Sequence, residues 1–91
     1  MQELKDAIRK IIKSIKRGYY FDSHTVILML LQKHHDTYLL GSKRHKTTDL
    51  YHAAISRMVK ANKELVEDSG EESFSKNVLD NFNECHLWRR K

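Results

Sequence analysis

The 91-residue chain has no proline, only three glycines and a single cysteine. Without proline no backbone N–H is missing and no φ is locked, and with glycine this sparse little interrupts a helical ladder. Gly18, Gly41 and Gly70 serve as natural boundaries and divide the chain into segments 1–17, 19–40, 42–69 and 71–91. A lone Cys85 excludes an internal disulfide and requires no oxidising compartment. No apolar run approaches the roughly 18 residues that cross a bilayer. Glu3 and Asp6 are among the first residues and there is no apolar h-region, so no secretory signal is expected. A cytoplasmic location with no membrane partner is the expectation.

Enzyme signatures are missing as well. The chain has no glycine-rich phosphate loop, no G-x-S-x-G elbow and no H-E-x-x-H pair. A chain of this length makes one domain, 1–91, and buries only roughly 60–65% of its unfolded surface, which leaves no room for a deep walled active site. The six histidines do not group as zinc ligands do. His34 and His35 are adjacent and project to different faces of a helix, and Cys85–His86 has the same defect. Only His45 with a distant partner could contribute. No enzyme activity, metal or other cofactor is therefore expected, and Cys85 reads as a small core residue.

Present instead are charge and helical period. The net charge of +5 is unevenly spread. Residues 1–63 hold thirteen Lys/Arg against five Asp/Glu, residues 64–84 hold one against seven, and residues 85–91 add three cations. A basic body suits an anionic partner.

The only run of six apolar residues, Val26–Leu31, follows the cap candidates Asp22 and Ser23. It predicts a helix from about His24 to His35, apolar around most of its circumference and so covered on several sides. In segment 1–17, Leu4, Ile8, Ile11, Ile12 and Ile15 make one amphipathic face, with the cations crowding the C-terminal half and Gly18 as the stop. Such a basic helix can also lie on a membrane or in a partner's groove, but its β-branched face fits a core wall better. Tyr19–Phe21 either caps the core, forms a short extended piece that pairs with a later strand, or stacks on unpaired bases. Tyr38–Leu40 is a last helical turn or a brief strand.

Thr47 or Thr48 caps the next predicted helix, 49–66, whose apolar stripes run through Leu50, Ala54, Met58, Ala61 and Leu65 and through Tyr51, Ile55, Val59 and Val66. The last segment allows a helix through Phe74, Val78, Phe82 and Cys85. A hairpin with arms Phe74–Leu79 and Glu84–Arg90 around the turn 80–83 fits it better, since Asn77, Asn81 and Asn83 weaken a helix. The expected fold class is thus mainly α, a three-helix core with a C-terminal β-hairpin, the alternative being a four-helix bundle.

The strongest functional feature is the basic loop Lys43, Arg44, His45, Lys46 running into helix 49–66. Loop cations and helix amides converge there, as a phosphate requires. His52, Ser56, Lys60 and Lys63 align along one side of that helix, and Ser56 and Arg57 lie where they could reach base edges. Ordinary solvation would explain the same charges.

This element order resembles the winged-helix branch of the helix-turn-helix DNA-binding family, by pattern and without a signature motif. The resemblance implies a DNA-binding, transcription-regulating domain, with 49–66 as recognition helix and the hairpin as wing. The contacts would fall on Lys43, Arg44, Lys46, Thr48, His52, Ser56, Arg57, Lys60 and Lys63, with Arg89 and Arg90 reaching backbone or minor groove. DNA is the more expected nucleic acid than RNA, and a homodimer follows if the site is palindromic. The connection 36–47 is longer than the usual three or four residues. The rival reading is a protein-interaction module using the acidic stretch Glu64–Glu72 or the aromatics Tyr19, Tyr20 and Trp88.

Overall fold

A computed structural model describes residues 2–79 and 81–91. The elements in chain order are α1 (Gln2–Ser14), β1 (Tyr20–Asp22), α2 (Ser23–Lys33), α3 (His35–Ser42), α4 (Thr48–Ala61), β2 (Val66–Lys76) and β3 (Phe82–Arg90). The strands form one antiparallel sheet in the order β1-β3-β2. This corrects the mainly-α expectation. Four helices and a three-stranded sheet make an α+β fold, neither a three-helix core with a two-stranded hairpin nor a four-helix bundle.

The core joins the two layers. Leu4, Ile8, Ile11 and Ile12 of α1 meet Val26, Ile27 and Leu30 of α2 and Tyr51, Ile55 and Val59 of α4. Phe21, Val66 and Trp88 close it from the sheet. Burial of each such side chain contributes about 1.5–3 kcal/mol. The apolar helix α2 is central, packed by α1, α3, α4, β1 and β3. Asp22 caps it, its carboxylate accepting from the Thr25 amide at 2.8 Å and the Thr25 hydroxyl at 2.9 Å.

Several boundaries move from their expected places, each for a local reason. α1 stops at Ser14 rather than residue 17, and the Gly18 amide turns away to donate to the Arg90 carbonyl at 2.7 Å. Gly18 sits at φ +88°, in the left-handed region. Tyr20–Asp22 is the short extended piece, paired as Tyr20↔Arg89, Phe21↔Trp88 and Asp22↔Leu87. α2 ends at Lys33 because His34 (φ −135°, ψ 47°) leaves helical geometry, and α3 then fills most of what the sequence offered as a loop.

Helix α4 begins after Thr47, which accepts from the Leu50 amide at 3.1 Å, and ends at Ala61 rather than 66. Asn62 stops it, its side chain donating to the Met58 carbonyl while its own carbonyl receives the Leu65 and Val66 amides. Val66 is therefore buried from a strand and not from a helix. The hairpin arms are longer than expected. β2 carries a bulge between Asp68 and Glu72, where Gly70 takes φ +77°, so this glycine bends a strand instead of ending a helix. Phe82 and Asn83, expected in the turn, belong to β3. The Asn77 side chain accepts from the Leu79 and Asn81 amides and organises the turn. Asp80, expected there, lies outside the described residues.

Candidate functional site

The loop that joins α3 to α4 is built on Gly41. Its carbonyl accepts from the Arg44 amide at 3.1 Å and from His45 Nδ1 at 3.0 Å. The His45 ring stacks on Tyr51, with centroids 5.0 Å apart. Tyr51 is buried and its hydroxyl donates to the Tyr38 carbonyl at 2.7 Å. Burial, with Tyr38 adding, pushes that phenol up to about 12, so it stays a donor. These bonds tie the loop backbone down while Lys43, Arg44 and Lys46 stay exposed.

Thr48 is the exposed first residue of α4, one place past the cap. Arg57 and Lys60 are exposed further along the helix. Among the described residues none of Lys43, Arg44, Lys46, Arg57 and Lys60 has a carboxylate within 4.0 Å.

The other sequence candidates are engaged elsewhere. His52 Nε2 meets the Tyr38 hydroxyl at 2.8 Å. Burial lowers this imidazole, and nearby His24 acts in the same direction, against a raising effect of Asp49. The net shift favours the neutral ring, which carries no charge for a phosphate. Ser56 Oγ lies 2.9 Å from Ser23 Oγ, which accepts from the Trp88 indole at 3.0 Å, so Ser56 supports the core. Lys63 lies past the end of α4, exposed, with its carbonyl accepting from the Lys91 ammonium.

Arg89 pairs with Glu67 at 2.9 Å, and Arg90 Nε donates to the Ile12 carbonyl at 3.1 Å. Both lie at the end of the hairpin away from its turn, next to β1 and α1. The hairpin itself is acidic on its exposed positions, through Glu67, Asp68, Glu71, Glu72 and Glu84. Glu84 is raised because it shares a hydrogen bond with Glu72 and feels its charge.

Between α4 and the hairpin runs a groove of about 480 Å³, with the start of α2 as its floor. His52, Ala53, Ser56 and Arg57 line one side, Asn83, Glu84, Cys85 and His86 the other, and Ser23, His24 and Ile27 the base. At its edge the donor atoms of Asp22, His24 and Cys85 lie within 4.8 Å of one another. His24 Nδ1 is 2.6 Å from Ser75 Oγ, which is 3.9 Å from Cys85 Sγ, and Ser73 donates to Asp22 at 2.9 Å. Burial raises Asp22, but the hydrogen bonds from Thr25, Ser73 and Ser75 outweigh it and leave the carboxyl below its ordinary value. The Cys85 thiol is pushed up by burial, against the Ser23 and His24 amides that favour its thiolate.

Spacing along the chain does not reveal this cluster. Its one sequence signal is Asp22-x-His24 at a helix start, and Cys85 arrives from the far end of the chain through β1–β3 pairing.

Comparison of the chain with protein-family models, with curated proteins and with solved structures gives no match.

Proposed function

We propose that this chain is a small nucleic-acid-binding domain, DNA being the favoured partner, which grips phosphates with loop 43–46 and the exposed side of α4. The observation that carries the reading is a set of five exposed cations without carboxylate partners, Lys43, Arg44, Lys46, Arg57 and Lys60, on one helix and the loop leading into it. An ordered loop backbone beneath them lowers the entropy lost on binding. A regulatory role is what the winged-helix resemblance of the sequence implies. The acidic hairpin, with Arg89 already paired, is a poor phosphate ligand. The contact surface is accordingly narrower than the resemblance implies.

The test is fluorescence anisotropy of mixed-sequence duplex DNA across a salt series. Log affinity should fall linearly with log salt, by about 0.9 per phosphate contact. The triple variant K43A/R44A/K46A and the double variant R57A/K60A should each weaken binding and flatten that slope, with unchanged circular dichroism. Absence of binding at low salt would reject the reading. One further observation favours a protein partner in that event. Phe74 and Phe82, 70% and 62% exposed, stack at 5.8 Å on the acidic hairpin and would suit a basic, apolar surface.

A further inference from the structure

We infer that Asp22, His24 and Cys85 form a site for a borderline-soft divalent cation of the zinc class, with a fourth coordination position open to the groove between α4 and the hairpin. The three groups come from three elements: Asp22 ends β1, His24 lies in the first turn of α2, and Cys85 is on β3. Carboxylate, imidazole and thiolate are the three side-chain types that zinc accepts. Bonds of 2.0–2.3 Å in a tetrahedron place donor atoms roughly 3.3–3.8 Å apart. The observed spread, within 4.8 Å, is about an ångström wider. Side-chain rotation closes that gap, since strand pairing already fixes the backbones beneath both residues, Asp22 opposite Leu87 of β3 and Cys85 opposite Ser73 of β2.

Hydrogen bonding alone accounts for two of the three groups. Asp22 caps α2 and receives Ser73, and His24 contacts Ser75. The thiol is held less firmly, its one side-chain partner among the described residues being Ser75 Oγ at 3.9 Å. A half-buried thiol next to a carboxylate gains little as a neutral group. As a thiolate it would repel Asp22, and a divalent cation reverses that sign. On binding, Cys85 gives its proton to water and its sulfur bonds the ion. The Ser23 and His24 amides that reach the sulfur then stabilise the charged ligand, as outer hydrogen bonds do around metals. His24 and Cys85 both line the groove, so solvent there can supply the fourth ligand. The ion would link the helical body to the hairpin through all three elements, independently of any nucleic acid.

The experiment uses the full chain stripped by chelator and titrated with cobalt(II). Cys85 is the only cysteine, so any thiolate-to-cobalt charge-transfer band reports on this site alone. The band should saturate at one ion per chain, disappear when zinc is added, and be lost in His24→Ala. Asp22→Asn, which keeps an oxygen to cap α2, should weaken cobalt binding at least tenfold. Zinc should also slow alkylation of Cys85 in the unaltered chain at least tenfold, a readout independent of how the variants fold. Three results would each overturn the site: no band at stoichiometric cobalt, half an ion per chain, or a band unchanged in His24→Ala. Alkylation that zinc does not slow would do so as well.

Discussion

Replacing Gly41 by alanine should destabilise the protein, although helix propensity alone argues the other way. Gly41 is in α3, where alanine is favoured over glycine by about 1 kcal/mol. The position is buried, and an added Cβ would meet the Tyr51 hydroxyl and lie 2.9 Å from ring atoms Cε1 and Cζ. Tyr51 is 1% exposed and cannot swing into solvent. Overpacking of this kind costs about 1–3 kcal/mol. Displacing the hydroxyl also breaks its 2.7 Å bond to the Tyr38 carbonyl, which adds about 1–3 kcal/mol for a buried acceptor left unpaired. The net expectation is a loss of about 1–5 kcal/mol, or a Tm lower by at least about 5 °C in a chain of this size.

Urea unfolding followed by circular dichroism measures it, and Tyr51→Phe completes a double-mutant cycle. Removing the hydroxyl relieves part of the clash, so Gly41→Ala should cost less in the Tyr51→Phe background. A neutral or stabilising Gly41→Ala, or equal costs in the two backgrounds, refutes the reasoning.

Two other predictions concern Ser56, with its partner Ser23, and His52; the sequence places Ser56 and His52 on the binding face and the structure turns them inward. Ser23→Ala leaves the buried Trp88 indole without its acceptor and should cost about 1–3 kcal/mol in urea unfolding. Ser56→Ala removes only the hydroxyl behind it, should cost less, and should leave DNA affinity unchanged, whereas Arg57→Ala should lower affinity and leave stability unchanged. His52 has a folded pKa below the ordinary histidine value of 6.5, chiefly through burial, so the unfolded chain takes up the proton first. Its contribution to stability is complete above pH 6.5 and is lost as pH falls through the lower folded value. His52→Gln should flatten that limb of a stability–pH curve, and a limb of unchanged slope would contradict the burial argument.

What the sequence reveals follows from how local each determinant is. The face of α1 is written in five residues of one segment, and the start of α4 in the Thr47 cap, so both are legible. The end of α4 is not. Leu65 and Val66 keep the helical period past Ala61, and only the bonds around Asn62 show that the chain has turned into β2. β1 has three residues, too few to carry an alternation, and its evidence lies in its partner β3. The site divides the same way. Loop 43–46 is exposed because its own residues are charged, which the sequence states outright. His52 and Ser56 share the i, i+4 side of α4, also as read. What draws them inward is Tyr38 from α3 and Ser23 from α2, partners that no helical wheel contains. The Asp22–His24–Cys85 cluster is hidden for the same reason, since beyond Asp22-x-His24 its third member comes from a distant strand.

The charge arrangement sets a ceiling on salt dependence that separates two binding surfaces. If nucleic acid is held by Lys43, Arg44, Lys46, Arg57 and Lys60 alone, five phosphate contacts limit the log–log slope to roughly −4.5. The exposed acids of the hairpin can only reduce it, by repelling any phosphate that comes within a Debye length, about 10 Å at 0.1 M salt. A steeper slope would require other cations. The largest exposed reserve is α1 and the turn after it, with Lys5, Lys10, Lys13, Lys16 and Arg17. That face is less suited, because Lys16 lies over the Tyr19 ring at 5.4 Å and Arg17 donates to the Lys91 carbonyl at 3.3 Å. A slope near −4.5 that collapses in the combined loop and helix variant assigns binding to α4. A slope that survives that variant moves the nucleic-acid surface to α1 and leaves α4 as a wall of the groove.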